Sequence, residues 1–181
     1  MKKEKVYLTL QNGDVFQGYA FGAEGEITGE LVFSTGMVGY IETLTDPANF
    51  GQIVVQTFPL IGNYGMIKTD VESDKAWVSA YVVREICDKP SNFRMEDPLE
   101  TYLKEEGVVG IYGVDTRELT KILREEGAMN ARISDKPLTD AEIKKYLAVR
   151  CPFNHPTVAF RKNVVEKVGG YADFYLLEDY Y

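Results

Sequence analysis

Two cysteines, Cys87 and Cys151, and a single histidine, His155, are the strongest nucleophile and metal-ligand candidates in this chain. Cys87 lies in Glu85-Ile86-Cys87-Asp88, just after an apolar run. A thiol at a strand end beside two acids suits a buried structural role better than that of a nucleophile. Cys151 and His155 are four residues apart, but two ligands are too few for zinc and no further Cys or His is available. His155 stands before Pro156 in a loop-like setting and reads as a hydrogen-bonded histidine. Glu105-Glu106 and Glu125-Glu126 fall on helix-periodic stretches and read as solvated faces. Neither G-x-x-x-x-G-K-[ST] nor G-x-G-x-x-G occurs among the glycines, so no phosphate cradle is encoded. No active site is complete in these residues, and no metal or cofactor site is expected.

The elements that would position any site are legible from period and punctuation. Val6, Leu8 and Leu10 alternate with Tyr7 and Thr9, Asn12-Gly13 tolerates positive φ, and Val15 to Phe21 returns, which predicts a hairpin. Glu30 to Phe33 predicts a third strand. Gly36 to Asp46 carries apolar residues at short-helix spacing, ended by Thr45-Asp46-Pro47 because a residue before proline leaves the α region. Gln52 to Phe58 and Trp77 to Arg84 predict strands, and Pro59 to Gly65 a shaped loop between them.

After residue 95 the period changes from two to nearly four. Asp97-Pro98 predicts an N-cap with proline at the first helical position, stopped by Gly107. Val108 to Tyr112 is a strand. Asp115 caps a helix with Glu118 at capping-box spacing, Leu119, Ile122 and Leu123 form its stripe, and Gly127 stops it. Residues 128–133 return as a strand, and Thr139 to Leu147 is a helix with a Thr139/Glu142 cap. Strands followed by alternating helix and strand predict a mixed α/β domain.

Composition narrows the function classes. A chain of 181 residues can bury a core without staples, and two unrelated cysteines fit a reducing cytosol. The net charge of −8 repels phosphate backbones, so nucleic acid is not an expected partner. No apolar run approaches the ~20 residues that cross a bilayer, and no signal-peptide stretch follows Met1, so a cytoplasmic location off the membrane is expected.

The run Leu31-Val32-Phe33-Ser34-Thr35-Gly36-Met37-Val38-Gly39-Tyr40, with Glu42 and Leu44-Thr45-Asp46-Pro47, resembles the small subunit of glutamine-dependent carbamoyl-phosphate synthetase. The likeness continues through Gln52-Ile53-Val54, Pro59 to Gly65, Pro90 to Arg94, Asp115 to Thr120 and Leu123 to Ala128, in the family's order across roughly residues 5–147. The resemblance implies, for residues 1–147, the family's N-terminal domain, a mixed α/β unit of the swivelling β/β/α type. It implies a heterodimer in which this domain docks to the large subunit and positions a glutaminase domain. The large subunit is the part that uses ATP and Mg, and the product serves arginine or pyrimidine synthesis.

The family's glutaminase is a class I amidotransferase domain with a Cys-His-Glu triad. Neither cysteine has that nucleophile's glycine setting, and His155-Pro156-Thr157 lacks the glutamate, so the resemblance implies a fragment of a ligase subunit, and this chain alone is expected to be inactive. By family position Ala48 is adjacent to the glutamine site, where the family often carries a serine, so at most its backbone could contribute. Ile67 stands where the family usually has asparagine. Gly36, Gly39 and Tyr40, with Gly62, Asn63 and Gly65, are expected on partner-docking loops. A non-catalytic binding module of the same fold is the alternative.

Residues 148–181 depart from that family. Pro152 to Lys162, Gly169-Gly170-Tyr171 and Leu177-Glu178-Asp179-Tyr180 resemble the acceptor half of a family 2 inverting glycosyltransferase, with Asp179 as the implied catalytic base. There is no Asp-x-Asp for a metal and nucleotide-sugar, so glycosyl transfer is the weakest reading, and the tail is expected not to fold independently.

Overall fold

The computed structural model describes residues 4–148. Cys151, His155, Glu178-Asp179 and the rest of the glycosyltransferase-like stretch lie outside the described residues. Strand β1 (Lys5–Leu10) turns through Asn12-Gly13 into β2 (Val15–Gly22), with Leu8 opposite Phe16 as the hairpin period requires. Strand β3 (Ile27–Ser34) is longer than Glu30 to Phe33 because it pairs from Ile27 onward with β9 (Met129–Ser134). Helix α1 (Tyr40–Thr45) ends at Asp46, whose extended backbone precedes Pro47. Strand β4 (Ile53–Gln56) follows, and the expected loop at 59–65 contains a short strand β5 (Leu60–Ile61). β5 pairs with β7 (Glu85–Ile86), just beyond β6 (Ala80–Val83).

Helix α2 (Leu99–Glu105) corrects one expectation. Pro98 occupies the N-cap, and Asp97 does not cap. Asp97 is drawn into a bridge with Met66, whose N–H donates to its carbonyl at 2.8 Å, so it sits before the helix rather than at its start. Strand β8 (Val109–Tyr112) leads to α3 (Thr116–Glu126), where the Asp115 carboxylate accepts from the N–H groups of Arg117 and Glu118. The full reciprocal capping box forms instead at α4 (Asp140–Tyr146), between Thr139 and Glu142.

Seven strands close into a barrel in the order β1-β2-β8-β6-β4-β3-β9, and β9 pairs back onto β1. β3, β4, β6 and β8 run parallel, and the other pairings are antiparallel. Alternation sorts each parallel strand between two cores. Ile53, Val55, Ala80 and Val82 fill the barrel, while Val54, Tyr81 and Val83 face an outer layer with α1 and α2. Both faces are therefore buried, as a parallel sheet demands. Burying such an aliphatic side chain contributes about 1.5–3 kcal/mol. Leu147 is fully buried after α4, and its carbonyl accepts from the Asn130 side chain at 3.1 Å.

Candidate functional site

The residues expected on docking loops lie on two segments that hold each other. α1 starts at Gly39 with φ +86°, and no side chain of its own turn caps it. The missing cap comes from the other loop. Tyr64 Oη accepts from the N–H of Gly39 at 3.0 Å and of Tyr40 at 3.3 Å. The Tyr40 and Tyr64 rings stack 4.2 Å apart, and Tyr40 Oη donates to the Gly65 carbonyl at 2.6 Å. Burial raises both phenols above their ordinary pKa, so Tyr40 keeps the proton it donates.

Gln56 fixes the other end of the first loop. Its Nε2 donates to the Gly36 carbonyl at 2.7 Å, and its Oε1 accepts from Tyr81 Oη at 3.2 Å. Between these anchors Met37 and Val38 stand 71% and 75% exposed. The loop is thus short, held at both ends, and carries two apolar side chains in water.

The expected docking residues divide by burial. Gly36 and Asn63 are exposed, and Gly39 is half-buried. Tyr40 is 1% exposed, and Gly62 and Gly65 are buried, so these three shape the loops from beneath. Gly62 has φ +84°, and a Cβ there would sit 3.5 Å from Leu99. A β-branched residue at Gly62 therefore reports on the fold, and Asn63 is the better probe of docking. Ser91 N–H donates to the Asn63 carbonyl at 2.9 Å, bringing the Pro90 to Arg94 segment, with its fully exposed Phe93, beside this loop. Arg94 in turn bonds Thr69 and pairs with Asp70.

Ala48 is exposed on a 3-10 turn, Pro47–Asn49, and its N–H already donates to Asp46 Oδ1 at 2.9 Å. Its backbone donor is thus spent. A shallow groove of about 320 Å³ beside this turn is lined by Glu42, Asp46 and Glu72. Ile67 is buried in the outer core, which explains an apolar residue there. Cys87 was expected to be buried and is half-exposed instead. It follows the two-residue strand β7, too short to cover it, and lines an open cleft with Glu85, Asp88 and Tyr112. Glu106 and Glu126 are exposed as expected, but each holds a turn: Glu106 accepts from Ala76 N–H at 3.0 Å, and Glu126 from the Asn12 side chain at 3.2 Å. Among the described residues, no helix is long and apolar enough to cross a membrane.

The family model for the carbamoyl-phosphate synthase small chain, CPSase domain, matches residues 8–133, from within β1 to within β9. The chain belongs to this family. The carbamoyl phosphate synthase small chain of Clostridium perfringens (strain 13 / Type A) is 55% identical over 129 residues, 71% of this chain and 37% of that protein. That of Maridesulfovibrio salexigens is 52% identical over 134 residues, 74% and 36% respectively. The matched region thus spans little more than a third of these small chains. Among solved structures, an aminopeptidase from Aneurinibacillus sp. strain AM-1 aligns at 16% identity with a TM-score of 0.43, covering 74% of this chain and 31% of that one.

The paired tyrosines are the feature of this small-chain domain that residue-by-residue reading missed, although Gly39-Tyr40 and Tyr64-Gly65 mirror each other in the sequence. Tyr64→Phe should destabilise by about 1–2 kcal/mol, because two partly buried N–H groups lose their acceptor, and Tyr40→Phe by about 1 kcal/mol. The double variant should lose less than the sum, since each removal slackens the loop the other holds. Urea denaturation of the four proteins checks this, and strictly additive losses would mean that the two phenols act independently.

Proposed function

We propose that this chain supplies the N-terminal, non-catalytic part of a glutamine-hydrolysing carbamoyl-phosphate synthase small subunit. In this role it docks on the large subunit and positions a glutaminase domain. The observation that carries the reading is the family match across the barrel, 8–133, in a chain whose cysteines and histidine lack the glutaminase pattern. The barrel with its outer helical layer fits the swivelling β/β/α type. In the parent enzyme ATP and Mg belong to the large subunit, glutamine to the glutaminase domain, and the assembly works in the cytoplasm, for arginine or pyrimidine synthesis.

The loops support docking through shape rather than reactive groups. Tyr40, Tyr64 and Gln56 fix the Gly36 to Gly39 segment, so Met37 and Val38 are presented without an ordering cost at the moment of binding. The test is co-expression of the full chain with the large subunit from the same genome, followed by size-exclusion chromatography and an ammonia assay. Co-elution without ammonia release from glutamine is expected, because acyl transfer lacks both an activated nucleophile and its base. Ammonia release abolished by Cys87→Ser or Cys151→Ser would overturn the non-catalytic part of the reading. Failure to co-elute would leave a binding module of the same fold with another partner.

A further inference from the structure

A groove of about 450 Å³ opens where the four parallel strands end. Thr35 follows β3, Thr57 follows β4 and Arg84 follows β6, while α3, entered from β8, adds Arg117, Lys121 and Arg124. The carboxyl ends of parallel strands are where α/β folds gather ligands, because loops and helix flanks converge there. Arg117, Lys121 and Arg124 are spaced i, i+4 and i+7, so they share one face of α3. No acidic side chain lines the groove, in a chain whose net charge is −8.

None of these four cations forms an ion pair among the described residues. Among the described residues the ion pairs are Lys68–Glu96, Arg94–Asp70, Lys104–Glu100 and Arg132–Glu26, all elsewhere. Arg124 only overlies the Phe33 ring, at 5.7 Å. Like charges stacked along a helix face weaken the helix, so the arrangement does not serve the stability of α3.

We propose that this groove docks an acidic segment of the large subunit, whose carboxylates pair with Arg84, Arg117, Lys121 and Arg124. The proposal rests on the functional reading above and adds to it a surface and its chemistry. Three observations favour a protein segment over a small anion. All four cations are exposed, where water screens their pull on a free ion, and only a partner's surface would exclude that water. The first free amides of α3 already donate to Asp115, which leaves no backbone cradle for a phosphate. Exposed Met37 and Val38 stand just beyond the groove residue Thr35, after Gly36, and exposed Leu60 follows Pro59. Arginine and methionine around a central patch are typical of protein interfaces.

The test measures affinity of the full chain for the large subunit by biolayer interferometry across a salt series. Binding should weaken about tenfold or more between low and physiological salt, because salt screens the exposed charges of the two partners before they meet. Arg117→Glu with Lys121→Glu should weaken binding about tenfold at low salt and flatten the salt dependence, with an unchanged melting temperature. Met37→Ser with Val38→Ser should weaken binding but keep the salt slope, which separates the charged groove from the apolar knob. Unchanged affinity of the charge-reversed protein, while wild type binds, would overturn the groove and leave the docking reading standing. Absence of wild-type binding would overturn both. Competition by tripolyphosphate alone, with large-subunit affinity insensitive to the charge reversal, would assign the groove to a small anion instead.

Discussion

Gly65→Ala should destabilise the domain by about 3 kcal/mol, from left-handed strain and overpacking together. Gly65 has φ +65°, and a Cβ there would lie 2.3 Å from Met95 Cγ and 2.8 Å from the Asp97 carbonyl. The methionine can move. The carbonyl cannot, because it accepts the Met66 N–H that bridges the loop to the start of α2. Gly65 also presents the carbonyl that accepts the Tyr40 hydroxyl hydrogen bond, so displacing it loosens α1 as well. Gly107→Ala is the control: its φ is +74°, but nothing lies within 4 Å of the added carbon. It should cost only the conformational part, about 1 kcal/mol. Urea unfolding of both variants isolates the steric part, and equal losses would show that Gly65 is needed for its backbone angle alone.

Gly110→Ala should destabilise by about 2–4 kcal/mol, although alanine is the better strand residue by roughly 0.5–1 kcal/mol. Gly110 pairs with Phe21 across β2 and β8, and its new carbon would meet the Phe21 ring at 2.5 Å and the Phe21 carbonyl at 2.7 Å. Gly18, on the same strand as Phe21, is as tightly met by Tyr112 O at 2.6 Å. This seam joins the N-terminal hairpin to the parallel half of the barrel, so spreading it opens the wall. Adding Phe21→Leu removes the ring contact but not the carbonyl one, and should restore only part of the loss. Thermal denaturation of the three proteins decides the point. A Gly110→Ala protein as stable as wild type would mean that the seam relaxes without cost.

Local rules made most elements legible. The Asn12-Gly13 hairpin, the Asp46-Pro47 stop, the Thr139/Glu142 box and the α3 stripe each depend on residues a few positions apart, and each formed. The misread cap at α2 failed for a non-local reason, because Asp97 was claimed by Met66. Closure of the barrel was not legible, since nothing near β1 says that its second partner is β9. The same limit applies to the site. The glycines around Tyr64 marked a shaped loop and the spacing around Tyr40 a short helix, but the stack between the two rings depends on how α1 packs over β4 and β6. The cationic groove likewise assembles residues from Thr35 to Arg124, and period analysis along the chain cannot align them.

Closure through β1 and β9 also sets a timetable for the newborn chain. Tyr7 pairs with Ser134 and Leu10 with Ala131, partners more than 120 residues apart. A ribosome adding about 5–20 residues per second leaves β1 waiting roughly 6–25 seconds for its second neighbour. During that interval the hairpin offers a bare strand edge to any neighbouring chain, the kind of template that mature sheets cover. The finished barrel has no such edge. The period of exposure to misassembly therefore belongs to synthesis, and it ends when β9 clears the exit tunnel and seals the wall.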